Sequence, residues 1–252
     1  MRRSIAVARG AKGYNWYRRF VELGADGFKK NVPPTAFDWS AGGKIRPCAF
    51  FELKVETEAL GRVEIELAED IVPATVDNFR RLCEGKGEKF SGYKGTLLHH
   101  VLKGQFIMGG DVSNQRGAGS HSSFKDRFIK DENFIIPHSS TGLVSMASVG
   151  VNTGGSQFYI TMGPCQHLNG RCVVFGRVVK GMQALEAVEK IFSFRGMPAR
   201  AVTISDCGVF MPKEPVISEV LAVKPSTEKK QTGPKASNDT QKKSPAAAVV
   251  AA

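Results

Sequence analysis

Short runs in which every second residue is apolar restrict the fold of this chain more than any other feature. The first two runs lie at 51–55 and 63–67, with an intervening turn predicted at Glu58-Ala59-Leu60-Gly61. An alternation of period two is typical of strands that bury one face. Other short β-rich runs are separated by Gly-rich turns, and they lie at 143–146, 157–162 and 173–179.

Two further segments have the three-to-four residue apolar spacing of amphipathic helices. The first begins at Pro73, which is permitted in a first helical turn, and ends before Gly85. The second carries Met182, Leu185 and Val188 on one face. Two helices among many short strands predict a mainly β protein built on a closed antiparallel barrel.

Charge divides the 252-residue chain into three parts. Residues 1–48 hold 10 Lys+Arg against 3 Asp+Glu, residues 49–210 hold 18 against 17, and residues 211–252 hold 7 against 4. We therefore predict a basic N-terminal extension, a nearly neutral central domain, and a Lys/Pro/Ser/Ala-rich tail that is disordered when free. Nucleic acid could be contacted only through the basic ends.

The N-terminal extension allows two interpretations. The first 20 residues contain six Arg or Lys and no acidic residue, which is typical of mitochondrial targeting. The same extension is rich in aromatic residues, including Trp16, Phe37 and Trp39, which favours a retained arm that docks onto a larger assembly. The predicted location is mitochondrial, and otherwise cytoplasmic.

Cysteine usage and hydropathy exclude several classes of protein. The five cysteines show no paired metal spacing, so they are read as reduced thiols, and the scattered histidines predict no metal site. No apolar run approaches the roughly 18 residues that a membrane-spanning helix needs. No cofactor-binding motif is predicted either, because the Gly-rich segment 152–155 lacks the strand and helix of a phosphate loop.

One family resemblance rests on motifs in the central domain. Residues 142–147 read GLVSMA and residues 152–160 read NTGGSQFYI, and further collinear motifs run from about Phe50 to Phe210. These motifs resemble those of the cyclophilins, the peptidyl-prolyl cis/trans isomerases. The resemblance implies a closed eight-stranded antiparallel β-barrel capped by two α-helices. It also implies a site for a proline-containing peptide or protein, and no cofactor.

The resemblance also shows that this sequence differs from the family at the position of the catalytic residue. Rotation about an X–Pro bond must overcome about 18–20 kcal/mol of amide resonance, and a positioned donor near the prolyl nitrogen can lower that barrier. In the family, this donor is an Arg that follows a His on a barrel strand. Residues 98–111 read LHHVLKGQFIMGGD, so His100 occupies the Arg position. An imidazole is shorter than a guanidinium and offers fewer donors.

The remaining site positions are only partly retained. Gln105 aligns with a proline-seating Phe, Phe106 with a Met, and Met108 with a carbonyl-gripping Gln. A shift of this strand by one residue would instead bring Phe106 to the proline-seating position. The sequence leaves both registers open. The resemblance places the other peptide-binding positions at Ala147, Ser148, Gln157, Tyr159, His167, Leu168 and Cys172.

These observations leave three functional classes. The leading one is a cyclophilin-type domain with weakened or lost catalysis, which acts as a binding or structural subunit of a larger assembly through residues 1–48. The alternatives are an active isomerase that assists protein folding and a nucleic-acid accessory protein. The retained apolar residues would also close a barrel end without binding any peptide, so a purely structural interpretation of them stays open.

Overall fold

The computed structural model describes residues 37–40, 43–115, 117–216 and 218. The predictions for residues 1–36 and for most of the 211–252 tail lie outside this part of the chain. The described strands and α-helices follow one another as β1 (Cys48–Val55), β2 (Glu58–Leu67), α1 (Pro73–Cys83), β3 (His100–Leu102), β4 (Phe106–Gly109), β5 (Leu143–Met146), β6 (Phe158–Thr161), β7 (Val174–Lys180), α2 (Met182–Lys190), β8 (Ser193–Phe194), β9 (Met197–Pro198) and β10 (Val202–Phe210).

Eight of the strands form one antiparallel sheet in the order β10-β1-β2-β7-β5-β6-β4-β3. The mainly β architecture with two α-helices in the described residues is therefore confirmed. Between β10 and the residues just before β3 the structure has an isolated bridge from Leu97 to Thr203 and a 2.9 Å bond from the Leu98 N–H to the Val202 carbonyl. These contacts curl the sheet toward a barrel, and complete closure stays a prediction.

The first hairpin differs from the sequence-based expectation. The residues predicted as a turn, 58–61, lie within β2, and the chain reverses at Glu56 and Thr57. The pairing shifts where Leu53 faces Gly61 and Lys54 faces Ala59, which leaves Leu60 as an extra residue. Gly61 has a φ of +125°, so its turn-like signal marks a β-bulge.

Both helices bury the apolar faces that their spacing predicts. In α1, Val76, Phe79 and Leu82 are fully buried, and Phe79 packs 4.6 Å, centroid to centroid, from Phe175. In α2, Leu185 is likewise buried. No helix among the described residues is long and apolar enough to cross a membrane.

Segments outside the sheet pack onto its β2 and β7 strands around a buried carboxylate. Glu66 lies 2.6 Å from Arg177 Nε and 3.4 Å from a terminal nitrogen of Arg46. Arg46 also donates to the Trp39 carbonyl (2.9 Å), and Arg177 donates to the Val216 carbonyl (3.2 Å). Residues just before β1 and just after β10 thus belong to the folded domain. Trp39 is 8% exposed, so it is not a free interface anchor.

Candidate functional site

Strands β3, β4 and β6 bring one set of side chains together on the outer face of the sheet. His100 pairs with Met108 and Leu102 with Phe106, and Met108 also pairs with Tyr159. Residues at alternate positions point to the opposite face, where Val101, Ile107 and Ile160 are buried in the main core. Because side chains alternate along a strand, the first set must face outward.

The outward side chains pack against the segment after β6 to form a second apolar cluster. This pocket cluster consists of the buried Phe106, Cys165, Leu168 and Cys172 with the partly buried Leu102, Met108 and Tyr159. The rings of Phe106 and Tyr159 meet edge to face, with centroids 4.7 Å apart. Such a surface suits a proline ring, which is apolar and needs no hydrogen bond from its nitrogen.

The ionisable groups of the pocket cluster are kept neutral. Burial raises the pKa of the Tyr159 hydroxyl and of the Cys172 thiol to about 12. Burial also raises the pKa of Cys165. A thiol in such surroundings is a small apolar group without nucleophilic character. The cluster can therefore bind and orient an apolar ring, and its own side chains are unsuited to general acid–base chemistry.

The turn between β3 and β4 decides which residue enters the pocket. Gln105 has an exposed side chain, and its backbone N–H donates to the Leu102 carbonyl (3.0 Å). The next residue, Phe106, is 8% exposed and occupies the cluster. Phe106 thus belongs to the cluster, and the side chain of Gln105 does not.

His100 lies beside the pocket cluster, between Phe106 and a glycine turn. Its ring centroid is 6.3 Å from that of Phe106, with 29° between the ring planes. On its other side, a Cβ atom placed on Gly196 would lie 2.1 Å from His100 Cε1. Gly196 has a φ of +82°, so both its conformation and this close approach require glycine.

Gln157 holds a loop that lies next to His99. Its Nε2 donates to the carbonyls of Gly117 (3.0 Å) and Gly119 (2.6 Å). The same loop is held by Asp111. Burial alone would raise the pKa of Asp111, but N–H donors from Asn114 and Gly119 outweigh it and lower that pKa. The amide of Gln157 therefore has a structural task that explains its burial.

The remaining predicted positions lie at the rim. The Ala147 N–H donates to the Gln157 carbonyl (2.8 Å), which continues the β5–β6 pairing. Ser148 Oγ lies 2.8 Å from Thr153 Oγ1 and so belongs to the following turn. His167 is on the 3-10 turn Gln166–Leu168 with an exposed side chain.

The structure thus brings five of the eleven predicted residues into one cluster and adds others. Phe106, Met108, Tyr159, Leu168 and Cys172 form one cluster, whereas the side chains of Gln105 and His167 are exposed. Leu102 was missed, although its spacing from His100 by two residues places both on one face. Cys165 and Gly196 were also missed, because only the folded loops bring them to the site.

Behind the pocket, His138 is a buried base whose environment makes folding depend on pH. The backbone N–H of His138 donates to Asn169 Oδ1 (2.8 Å), and its backbone carbonyl accepts from the Cys165 N–H (3.0 Å). The ring Nδ1 lies 3.0 Å from the same Asn169 oxygen. Burial lowers the pKa of His138 to about 4.

We expect the free energy of unfolding to fall as the pH decreases from about 6.5 to about 4. In this range the unfolded chain binds a proton at His138 that the folded chain excludes. The loss from this residue is about 3 kcal/mol. His138→Asn should reduce the difference between urea unfolding at pH 7.5 and at pH 4.5 by about that amount, whereas Met211→Ser, at an exposed residue that does not titrate, should leave it unchanged. An unaltered pH dependence in His138→Asn would contradict the assignment.

The fold and the site together define a β-sheet domain with an apolar cluster on its outer face. The model of the family described as cyclophilin type peptidyl-prolyl cis-trans isomerase/CLD matches residues 52–209, more than half of the chain. This chain belongs to the cyclophilin-type peptidyl-prolyl isomerase family. Its central domain is accordingly a binding domain for proline-containing peptides.

Proposed function

We propose that this cyclophilin-type domain binds proline-containing segments and isomerises them slowly, so that it serves mainly as a binding subunit. The observation that carries the proposal is the position of His100 beside the pocket, where the family has its catalytic Arg. The pocket cluster retains the apolar wall that binding needs. The charged donor that would stabilise the twisted amide is replaced by an imidazole.

The neighbouring side chains do not replace the missing donor. Met108, which pairs with His100 across β3 and β4, has a thioether where the family has an amide. The Gln157 amide is bonded to the carbonyls of Gly117 and Gly119, so its N–H groups are committed to the loop. The side chains around His100 therefore favour binding over catalysis.

Peptide binding is the direct test of this proposal. A fluorescently labelled peptide with a central proline should bind the full chain saturably, and the same peptide with Pro→Ala should bind at least tenfold more weakly. Tyr159→Ala removes the ring that packs on Phe106 and should weaken binding by a similar factor. Ile45→Ser changes an exposed apolar residue and serves as the control. Equal binding of the Pro and Ala peptides would exclude a proline site.

We further propose that residues 1–36 anchor the domain to a larger, mitochondrial assembly. The support is the Arg-rich, acid-free composition of the first 20 residues together with aromatic residues such as Tyr14, Trp16 and Tyr17. Deletion of residues 1–36 should release the protein from the complex with which the full chain co-sediments. Should the truncated protein co-sediment with the same complex, the anchor must lie elsewhere.

A further inference from the structure

An exposed hairpin lies directly beside His100. Strands β8 and β9 pair through Phe194 and Met197 and are joined by Arg195 and Gly196, which have φ values of +51° and +82°. Positive φ at both central residues defines the tight type I′ turn that fits a two-residue hairpin. We call residues 192–199 the site hairpin.

The inner side of the site hairpin is bonded to β3. The Val101 N–H donates to the Gly196 carbonyl (2.7 Å), and Ser193 Oγ donates to the Val101 carbonyl (3.4 Å). These bonds satisfy backbone groups on an edge strand, which explains why a hairpin lies here. They do not explain the composition of its outer side.

Three large apolar side chains share the outer side. Phe192, Phe194 and Met197 are 72%, 62% and 60% exposed. Phe192 and Phe194 are two residues apart in the chain, and Met197 is paired with Phe194, so all three point the same way. The hydrogen bonds of the hairpin do not require apolar side chains at these three positions. A contiguous exposed apolar patch typically marks a binding surface.

The turn of the site hairpin lies at the edge of the pocket cluster. Gly196 contacts the ring of His100, whose centroid is 6.3 Å from that of Phe106 in the pocket cluster. An extended peptide advances about 3.3–3.6 Å per residue. A peptide with its proline on the pocket cluster would therefore reach the hairpin within roughly two or three residues.

We infer that the site hairpin is a specificity element, which binds a bulky apolar or aromatic residue within three positions of the proline in the bound peptide. This inference rests on the proposed function, because it requires that the pocket binds proline peptides. Contact with Phe194 and Met197 removes apolar area from water on both sides, so peptides with such a residue bind more tightly. Alanine at the same position cannot reach the patch.

The test uses the full chain and a labelled peptide with one central proline among alanines. A series of otherwise identical peptides carries Phe at one, two or three positions on either side of the proline. At least one Phe peptide should bind roughly fivefold or more tightly than the alanine peptide. The double variant Phe194→Ser/Met197→Ser should lose this advantage and keep the affinity for the alanine peptide. Met211→Ser, which changes a methionine that is 63% exposed, is the matched control.

The outcomes distinguish binding by the site hairpin from binding by the pocket cluster. If the alanine peptide binds but no Phe peptide gains affinity, the inference fails and the proposed function stands. If no peptide binds the wild type, both fail. A concentration-dependent dimer in sedimentation that the double variant abolishes, or binding to lipid vesicles that it abolishes, would assign the patch to another occupant and overturn the inference. A melting temperature equal to that of the wild type verifies that the double variant is folded.

Discussion

The full chain is expected to isomerise a proline tetrapeptide roughly 100-fold or more slowly than a family member that has the catalytic Arg. Loss of one preorganised donor costs about 2.7–4 kcal/mol of transition-state stabilisation in other enzymes. His100 presents one ring edge where a guanidinium would present several donors. A protease-coupled measurement of kcat/KM on both proteins checks the expectation. Equal rates would mean that His100 suffices and that the domain is an active isomerase.

A rescue series tests the cause of this loss. His100→Arg should raise kcat/KM by at least tenfold, and His100→Arg/Met108→Gln should raise it further, because the second change adds an amide on the paired strand. His121→Arg introduces the same charge elsewhere and should have no effect. No gain in either His100 variant would assign the slow rate to the shape of the pocket instead of the missing donor.

Trp39→Ala is expected to destabilise the fold by about 3–5 kcal/mol, which corresponds to a melting temperature lower by roughly 10 °C. Trp39 belongs to the main core cluster, and the guanidinium groups of Arg46 and Arg177 lie 5.9 and 5.1 Å from its ring centroid. The substitution removes apolar burial and also both cation–π contacts. Thermal and urea unfolding measure the change.

Two truncations separate the contribution of residues 37–47 from that of residues 1–36. Deletion of 1–47 removes Trp39 and Arg46 and leaves Glu66 with Arg177 as its charged partner, so it should lower the melting temperature at least as much as Trp39→Ala. Deletion of 1–36 keeps these contacts and should cost much less. If both truncations melt alike, residues 37–47 contribute nothing to stability and their packing is incidental.

The sequence predicted the elements that follow a regular period. Alternation at 51–55 and 63–67 identified β1 and β2, while Pro73 and Gly85 marked the limits of α1. Errors arose where a local signal has two structural meanings. A glycine such as Gly61 suits a turn and a bulge equally well, and the choice depends on the pairing of the whole strand.

The site was harder to predict than the fold. The family resemblance aligns Gln105 with the proline-seating position and leaves a one-residue shift to Phe106 open. In the structure, Phe106 is paired with Leu102 and lies in the apolar cluster. Sequence spacing could not reveal the contact of Gly196 with His100, since these residues lie 96 positions apart in the chain. Nor does local composition indicate that Trp39 packs on Arg177, because this contact depends on the tertiary path of the chain.

The contacts of Arg177 bring the two ends of the described domain together. One side chain touches both Trp39 and Val216, so the segments before residue 37 and after residue 218 join the domain close to each other. Residues 1–48 and 211–252 both carry excess positive charge, whereas residues 49–210 hold 18 basic against 17 acidic residues. The two ends of the sequence that carry the excess positive charge are therefore attached to neighbouring points of a nearly neutral domain.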